Sequence, residues 1–389
     1  MYHGGSETKI PDLPGEPQTS TVNLPPIDPH RFAERAGAWL RQEGPDSDVV
    51  VSCRTRLARN LDGFPFVLKL ETKAAVELGE RVRQELVSHR LEGETVWVDM
   101  PSARPLVRLL LRERHLISRD LAPGDGMRAV RPGRAVAFGP DESVSVMVNE
   151  EDHLRLQSIA PGFDLLGAWD RVRSLDRALE SSVGYAWNER LGYLTGCPTN
   201  VGTGLRASVM LHLPALGLVR SELEKVFSAA QRTGLAVRGM YGEGSRAAGD
   251  FYQISNQVTL GCTEEALIAG LQDLVPCVIA FERKVREVLL SEQRKTLEER
   301  VGRSLDTLQA ARSLPTELAL MHLSNLRLGS AIGLCARVSS AALNLLAVQI
   351  QKGHIQALVG DVEGDVMAEP TTRDRDRAAF LRRRVAELV

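Results

Sequence analysis

Hydrophobic and polar positions alternate with a period of two in short segments of the first two thirds of the chain, as in strands with one buried face. The clearest pair, residues 135–138 and 144–148, is separated by the turn sequence GPDES and predicts two antiparallel strands. Further strands are predicted at residues 48–66 (running into a turn), 94–100, 235–240 and 251–260, and as two β-segments joined by a loop within residues 188–213.

Apolar residues spaced three and four apart predict helices in the intervening segments. These helices are predicted at residues 30–42, 71–89, 103–113, 164–182 and 220–234. From residue 263 to about residue 302 the helical pattern is continuous, with a bend expected near Pro276 because proline lacks a backbone donor. Residues 306–389 predict further helices, with breaks near Pro315, residues 329–333 and residues 353–369.

These elements predict an α+β fold, in which an antiparallel β-sheet flanked by helices is followed by an all-helical C-terminal domain. Residues 1–29 contain six prolines and few large apolar groups, which predicts a flexible tail. Residues 30–262 form the predicted sheet-containing domain, and residues 263–389 form the helical one. A length of 389 residues exceeds one average domain and fits this division.

The charge balance is close to neutral, with 48 basic and 50 acidic residues and a net charge of −2. This balance argues against general binding to nucleic acid or to a membrane surface. No apolar run reaches transmembrane length, and the N-terminus lacks a signal-peptide pattern. Five scattered cysteines without CxxC spacing predict neither a disulfide framework nor a zinc site. The expectation is a cytoplasmic protein without DNA or membrane partners.

Two arginines, Arg54 and Arg56, lie in the predicted strand of residues 48–66. Because they are two positions apart, they project to the same side of an extended chain. Planar guanidinium groups on one side of a strand suit the oxygens of a polyphosphate, which they bind in bidentate fashion. The alternative interpretation of such a pair is a solvated basic edge.

An acidic segment, NEEDHLR at residues 149–155, follows the predicted strand of residues 144–148. Its three consecutive carboxylates repel one another and are costly at a strand end unless a cationic group lies beside them. The alternative is an acidic loop in water.

A loop with the sequence CPTNVGT occupies residues 197–203, and Arg206 follows it at the start of an apolar run. Pro198 removes one backbone donor, and the glycines allow the main chain to approach a ligand closely. A thiol and a guanidinium beside such a loop suit an anionic ligand next to a polar reacting group. The residues alone leave a plain hairpin with a buried thiol equally open.

Together these segments resemble the ATP:guanido phosphotransferases, the phosphagen kinase family. CPTNVGT is similar to the signature loop of the family, NEEDHLR to its acidic segment, and CRTRLARN with the following FPF to its first ATP-binding segment. GYLTGCPTNVGTGLRASVMLHLPAL is very similar to the bacterial branch, the protein-arginine kinases. The resemblance covers roughly residues 48–261 and continues more loosely to the end. It implies that residues 30–262 form a catalytic domain that uses ATP and Mg²⁺ to phosphorylate a guanidinium.

The resemblance also implies roles for individual residues. Glu151 would contact the attacking guanidinium nitrogen, Glu243 would be the second carboxylate, and a Cys197 thiolate would lie against the guanidinium without becoming a covalent nucleophile. The ATP phosphates would be bound by Arg54, Arg56, Arg155 and Arg206. The substrate loops would contain Gly242, Gly244, Asn200 and Thr203.

The remaining polar residues of the acidic segment are expected to have supporting roles. Glu150 and Asp152 would orient the site or act on the metal through water, so that Mg²⁺ is held by ATP phosphates and water without a direct protein ligand. His153 is expected to be a structural hydrogen-bonding residue. Two positions depart from many relatives: Tyr241 replaces an arginine, and Arg246 replaces an acidic residue.

The ATP-binding segment begins at residue 48, without the helical N-terminal domain that encloses small substrates in related kinases. The resemblance therefore implies protein substrates with exposed arginines. It also implies that residues 263–389 pair subunits into a homodimer and bind phosphoarginine. The receptor would include Arg327, although Ala331 replaces the acidic residue of the relatives.

By the same resemblance, phosphorylation would mark proteins for a Clp-type protease and control a stress response, with a zinc-binding activator protein as a further partner. Two other functions stay open. One is a small-molecule guanidino (arginine) kinase, which would phosphorylate free arginine. The other is a non-catalytic phosphoarginine-binding adaptor, which the retained arginines and glutamates oppose.

Overall fold

The computed structural model describes residues 27–124, 126–239, 248–335, 338–360 and 366–388. Residues 1–26 of the predicted tail therefore lie outside the described residues. The strands of the described residues are β1 Val50–Arg59, β2 Val96–Asp99, β3 Ala135–Phe138, β4 Val144–Val148, β5 Leu154–Pro161, β6 Trp187–Asn188, β7 Gly192–Tyr193, β8 Leu205–His212, β9 Leu235–Gly239 and β10 Phe251–Asn256. The helices are α1 Pro29–Glu34, α2 Ala38–Arg41, α3 Thr72–His89, α4 Pro105–Glu113, α5 Leu165–Val183, α6 Pro214–Leu218, α7 Arg220–Arg232, α8 Glu264–Ala310, α9 Thr316–Ala331, α10 Ser340–Gln349, α11 Lys352–Leu358 and α12 Pro370–Leu388.

Eight strands form one sheet in the order β2-β3-β4-β5-β1-β8-β10-β9, and every neighbouring pair is antiparallel. β6 and β7 form a separate two-stranded ribbon. The antiparallel sheet flanked by helices and the helical C-terminal region confirm the predicted fold class.

One face of the sheet is buried against helices because alternate residues of each strand are apolar. On β1, Cys53, Thr55 and Leu57 are fully buried, and the Thr55 hydroxyl donates to the Ala168 carbonyl of α5 at 2.9 Å. Arg54 and Arg56 alternate with these residues and therefore lie on the opposite face. The expected arrangement of the arginine pair follows directly from this strand period.

The β2-β3-β4 edge of the sheet is buried on both faces. In β3, Ala135 and Ala137 belong to the main core, whereas Val136 and Phe138 pack with Leu111 of α4 in a second cluster. The arginine face is therefore left accessible beyond this edge, on β5, β1, β8, β10 and β9.

The helices after α8 have their own apolar core, and polar contacts hold them against the sheet-containing part. Arg327 of α9 donates to the Ser47 carbonyl at 2.6 Å, just before β1. Glu113 at the end of α4 accepts from the backbone nitrogens of Gly353 and His354 at 2.9 and 3.0 Å, at the start of α11. These contacts fix the C-terminal helices beside the arginine face.

Three predicted elements differ from the structure. α8 continues past residue 302 to Ala310, and its one residue with non-helical backbone angles is Gln293, not one in the neighbourhood of Pro276. Pro276 is solvent-exposed, and the surrounding turns keep helical geometry despite its missing donor. The helix predicted at residues 30–42 is divided in two because Arg35 and Gly37 have extended backbones.

The two β-segments of residues 188–213 do not form a hairpin with each other. β7 pairs with β6, whereas β8 lies in the main sheet between β1 and β10. A bridge between Tyr193 and Gly202 joins β7 to the loop that precedes β8. Within the described residues, no helix is both long enough and apolar enough for a bilayer span.

Candidate active site

A cleft of about 940 Å³ opens over the arginine face of the sheet. We call it the active-site cleft. Its lining includes Ser52, Arg54, Arg56, Arg155, Arg206, Met210, Arg238, Phe251 and Gln253 from the strands, Glu151, Cys197 and Asn200 from two loops, and Trp39, His115, Ala347, Val348, Gln351 and Lys352 from elsewhere in the chain. It thus brings together most of the residues that the sequence singles out.

The strand register assembles the predicted phosphate-binding arginines on one surface. Arg56 of β1 is directly opposite Arg206 of β8, and Arg155 of β5 is opposite the next residue of β1 that faces the cleft, Ala58. Arg54 is one step further along β1, and its Nη2 is 3.4 Å from Gln253 Oε1. Four guanidinium groups from three strands therefore converge.

The local electrostatics favour an anion at this surface. Burial lowers the pKa of Arg54 to about 10, and the charges of Arg155 and Arg206 add to the effect. Burial and the same neighbours lower the pKa of Arg56 further, and its Nε has no hydrogen-bond partner in the described residues. Buried like charges repel one another, so a polyanion that pairs with them would relieve this cost.

Two further side chains in the cleft were not assigned from the sequence. Arg238 of β9 is opposite Gln253, so it joins the arginine surface from the far edge of the sheet. His115 lies against Trp39, with ring centroids 5.9 Å apart. Burial, together with Arg54 and Arg56, lowers the pKa of His115 to about 4, so its ring is neutral near pH 7. Both positions depend on long-range pairing that spacing along the chain does not show.

The acidic segment is the turn between β4 and β5, and its first carboxylate faces inwards. Glu150 is buried and accepts hydrogen bonds from the Ser118 hydroxyl, from Arg155 Nη1 at 2.7 Å and from the Glu151 backbone at 3.0 Å. Its side chain is therefore fully engaged in holding Arg155 and the turn. This arrangement suits a residue that orients the site.

Glu151 has the opposite environment, because its side chain is 41% exposed and lines the active-site cleft. Its Oε2 is 3.2 Å from Arg155 Nη2. Partial burial raises the pKa of Glu151, Arg155 opposes the shift, and the nearby carboxylates of Glu150 and Asp152 add to it. An accessible carboxylate with a raised pKa beside an anion-binding surface can accept a proton during phosphoryl transfer.

The third carboxylate joins the acidic turn to the signature loop. Asp152 is buried, and its Oδ1 accepts from Gly196 N at 2.5 Å and Asn60 Nδ2 at 2.7 Å. The His153 ring accepts from Leu61 N at Nδ1 and donates to the Pro65 carbonyl from Nε2, both at 3.0 Å. Both residues hold backbone segments together, as expected for supporting roles.

Cys197 is partly exposed at the start of the signature loop, and its Sγ is 3.0 Å from Thr199 Oγ1. The Thr259 hydroxyl holds the loop in place by donating to the Thr199 and Val201 carbonyls. Asn200 lines the cleft, whereas Thr203 does not: its hydroxyl accepts from Leu205 N at 3.2 Å, and its carbonyl accepts from Arg59. The loop thus presents a thiol and an amide next to Glu151.

Other predicted site residues lie elsewhere. Gly242, Glu243 and Gly244 are outside the described residues, although Gly239 just before them lines the cleft. Arg327 is not part of the cleft lining and is only 3% exposed. It donates to Asn344 Oδ1 at 2.5 Å and to the Ser47 carbonyl.

Comparison with known proteins gives matches over most of the chain. The family description "ATP:guanido phosphotransferase, C-terminal catalytic domain" matches residues 77–285, and "Protein-arginine kinase McsB C-terminal domain" matches residues 294–389. Protein-arginine kinase from Brevibacillus brevis is 43% identical over 349 residues, which is 89% of this chain and 94% of the relative. The corresponding protein from Bacillus subtilis is 39% identical over 358 residues, 92% of this chain and 95% of the relative.

A solved structure gives the same family over about two thirds of the chain. The crystal structure of lombricine kinase is similar with a TM-score of 0.54 and 26% identity, over 67% of this chain and 71% of that chain. The family matches span both the arginine-lined catalytic part and the C-terminal helices. The chain therefore belongs to the ATP:guanido phosphotransferase family and, within it, to the protein-arginine kinases.

Proposed function

We propose that this chain transfers the γ-phosphate of ATP to the guanidinium of arginine side chains in proteins. The observation that carries the proposal is the convergence of an arginine surface with Glu151 and Cys197 in one cleft. Protein acceptors are supported by relatives named protein-arginine kinase that match about nine tenths of the chain.

Arg54, Arg56, Arg155 and Arg206 bind the ATP phosphates in this proposal. Their crowding on one surface and the lowered pKa of Arg54 and Arg56 fit a polyphosphate partner. Mg²⁺ would be held by the ATP phosphates and water, without a direct protein ligand. When bound, Mg²⁺ would neutralise phosphate charge.

The acceptor guanidinium lies between Glu151 and Cys197, with Glu243 as the second carboxylate. Arginine is a poor nucleophile because its pKa exceeds about 12. As a nitrogen–phosphorus bond forms and the bond from the γ-phosphorus to the bridging oxygen breaks, Glu151 accepts the proton that leaves the attacking nitrogen, and ADP departs. General-base assistance of this kind typically contributes about 10²–10⁴-fold. Cys197 contacts the guanidinium and orients it.

The proposal extends to the wider setting that the family resemblance implies. Residues 30–262 form the catalytic domain, and residues 263–389 support a cytoplasmic homodimer. A zinc-binding activator, a Clp-type protease and a role in stress response are further elements, and their support is the resemblance to the bacterial protein-arginine kinases. Phosphoarginine binding at Arg327 requires this buried guanidinium to exchange its bond to Asn344 or Ser47.

The test is incubation with Mg-ATP and either an unstructured, arginine-rich protein such as casein or free arginine. The readout is acid-labile, base-stable phosphate on each acceptor. We expect labelling of the protein only, with loss of labelling in Glu151→Gln and Cys197→Ser. Glu292→Gln on the exposed surface of α8 is the matched control and should label as the unmodified protein does.

Three results would contradict the proposal in different ways. Labelling of free arginine at a comparable rate would favour a small-molecule guanidino kinase. Full activity of Glu151→Gln would remove the catalytic assignment. Absence of labelling together with tight binding of phosphoarginine would favour a non-catalytic adaptor.

A further inference from the structure

The strand register orders the active-site cleft from one end to the other. Glu151 and the signature loop lie at the end of β1 that carries Arg56. Two residues back along β1 is Arg54, and two further back is Ser52, opposite Met210 of β8. Two residues of extended chain advance about 7 Å, so the floor of the cleft extends about 14 Å from Arg56 to Ser52.

The far end of this floor is covered by the C-terminal helices. Ile159, which is opposite Arg54 on β5, packs in one apolar cluster with Trp39 of α2 and Val348 of α10. Ala347 and Gln351 extend the same wall of the cleft. The cleft is therefore completed by residues that lie outside the matched catalytic region of residues 77–285.

The chemistry of this far end differs from that of the arginine surface. Its walls include the Trp39 ring, Met210 and Phe251, with amide groups at Gln253 and Gln351. Trp39 is only 3% exposed, and its indole nitrogen has no hydrogen-bond partner in the described residues. Apolar faces combined with a few polar groups suit a flat heteroaromatic ring, which has two apolar faces and a polar edge.

The direction of ATP in the cleft follows from the transfer reaction and therefore rests on the proposed function. The γ-phosphate has to lie next to the acceptor between Glu151 and Cys197. The phosphates lie on the arginine surface, so the base is directed towards Ser52 and the helical wall. We infer that α10 and the segment leading into α11 complete the base-binding end of the ATP site, through Ala347, Val348 and Gln351.

The position of this wall is fixed by contacts to the catalytic part. Glu113 binds two backbone nitrogens at the start of α11, and Arg327 donates to Ser47 beside β1. His212 at the end of β8 is 2.8 Å from the Ser324 hydroxyl of α9. The C-terminal helices are thus part of the nucleotide site, and their docking contributes to ATP affinity.

The test compares binding of Mg-ATP with binding of inorganic tripolyphosphate by titration calorimetry on the full chain. Ala347→Trp adds a bulky ring to the partly exposed wall, and Gln351→Ala removes its amide. Ala386→Trp makes the same change as the first variant on the exposed surface of α12 and is the matched control. Circular dichroism and thermal unfolding check that each variant is folded.

We expect Ala347→Trp to weaken ATP binding about tenfold or more, because overpacking displaces the base, and to leave tripolyphosphate binding within about twofold. Gln351→Ala should weaken ATP binding by a smaller factor with tripolyphosphate unchanged, and Ala386→Trp should change neither.

Unchanged ATP affinity in both wall variants overturns the inference. An equal loss for ATP and tripolyphosphate also overturns it, because the effect would not concern the base. If the unmodified protein binds tripolyphosphate as tightly as ATP, the base end contributes nothing and the inference fails while the proposed function stands. If the unmodified protein binds neither ligand, the arginine surface is not a phosphate site, and the proposed function fails as well.

Discussion

Arg59 supports the signature loop from behind, on the face of β1 opposite the cleft. Its Nε and Nη2 donate to the two carboxylate oxygens of Asp176 at 3.0 and 2.8 Å, and its Nη1 donates to the Thr203 carbonyl at 2.8 Å. Its guanidinium carbon is 3.6 Å from the centre of the Tyr193 ring. The side chain is fully buried, so these partners replace water completely.

Replacing Arg59 by methionine removes the charge and leaves the Asp176 carboxylate buried without its partner. Breaking a buried ion pair from one side costs about 3–5 kcal/mol of the free energy of unfolding. Adding Asp176→Leu removes the uncompensated carboxylate, and an apolar replacement of both partners is often neutral, so most of the stability should return. The Thr203 carbonyl, however, loses its donor in both variants, and the loop that carries Cys197 loses a fixed contact.

Urea unfolding and steady-state phosphorylation of a protein substrate at saturating ATP measure the two effects separately. We expect the single variant to be less stable, the double variant to be close to the unmodified protein, and kcat to be lowered about 10–100-fold in both, because small displacements of positioning groups slow transfer strongly. Arg312→Met, at an exposed position between α8 and α9, is the control. Unchanged kcat in the stable double variant would refute the positioning role of the Thr203 contact.

Three further changes test separate parts of the structure. Glu151 must be ionised to accept a proton and its pKa is raised, so kcat/KM should fall with decreasing pH through a pKa above the ordinary glutamate value. The charge of Asp120 contributes to the raised pKa, so Asp120→Asn should lower the pKa seen in this pH profile. An unchanged pH profile on the acid side would contradict the role of Glu151. Burial raises the pKa of Asp250 to about 6, so the native state favours its protonated form and stability is lost as pH rises from about 4 to 6. Asp250→Asn should therefore raise the free energy of unfolding by up to about 2–3 kcal/mol at pH 7.5 and have little effect near pH 4, measured by urea unfolding at both pH values. Thr259→Val removes the hydroxyl that donates to two carbonyls of the signature loop. This change should cost about 1–3 kcal/mol of stability and lower kcat. ATP affinity, measured by calorimetry, should stay constant.

Local periodicity was sufficient for most of the fold because most strands and helices bury one face, β3 and β4 being buried on both. The same period placed Arg54 and Arg56 on one side of β1, where the structure has them. Local periodicity does not show which strands pair with each other over long range. The separation of β7 from β8 into different sheets depends on which strands they meet, and Arg238 enters the cleft only because β9 pairs with β10.

The acidic turn shows why a motif alone does not assign chemistry to its members. Glu150, Glu151 and Asp152 are consecutive and of the same charge, so composition and spacing do not distinguish them. Their burial does, because the tight turn between β4 and β5 directs Glu150 towards Ser118 and Arg155, Asp152 towards Gly196, and only Glu151 into the cleft. Glu150 accepts from Ser118 and Arg155, and Asp152 accepts from Gly196 and Asn60 through Oδ1, so the two buried carboxylates hold Arg155 and the signature loop in place. Glu151 is exposed and lines the cleft, where a bound acceptor can meet it, and this difference in exposure is the physical basis for proposing Glu151 as the general base.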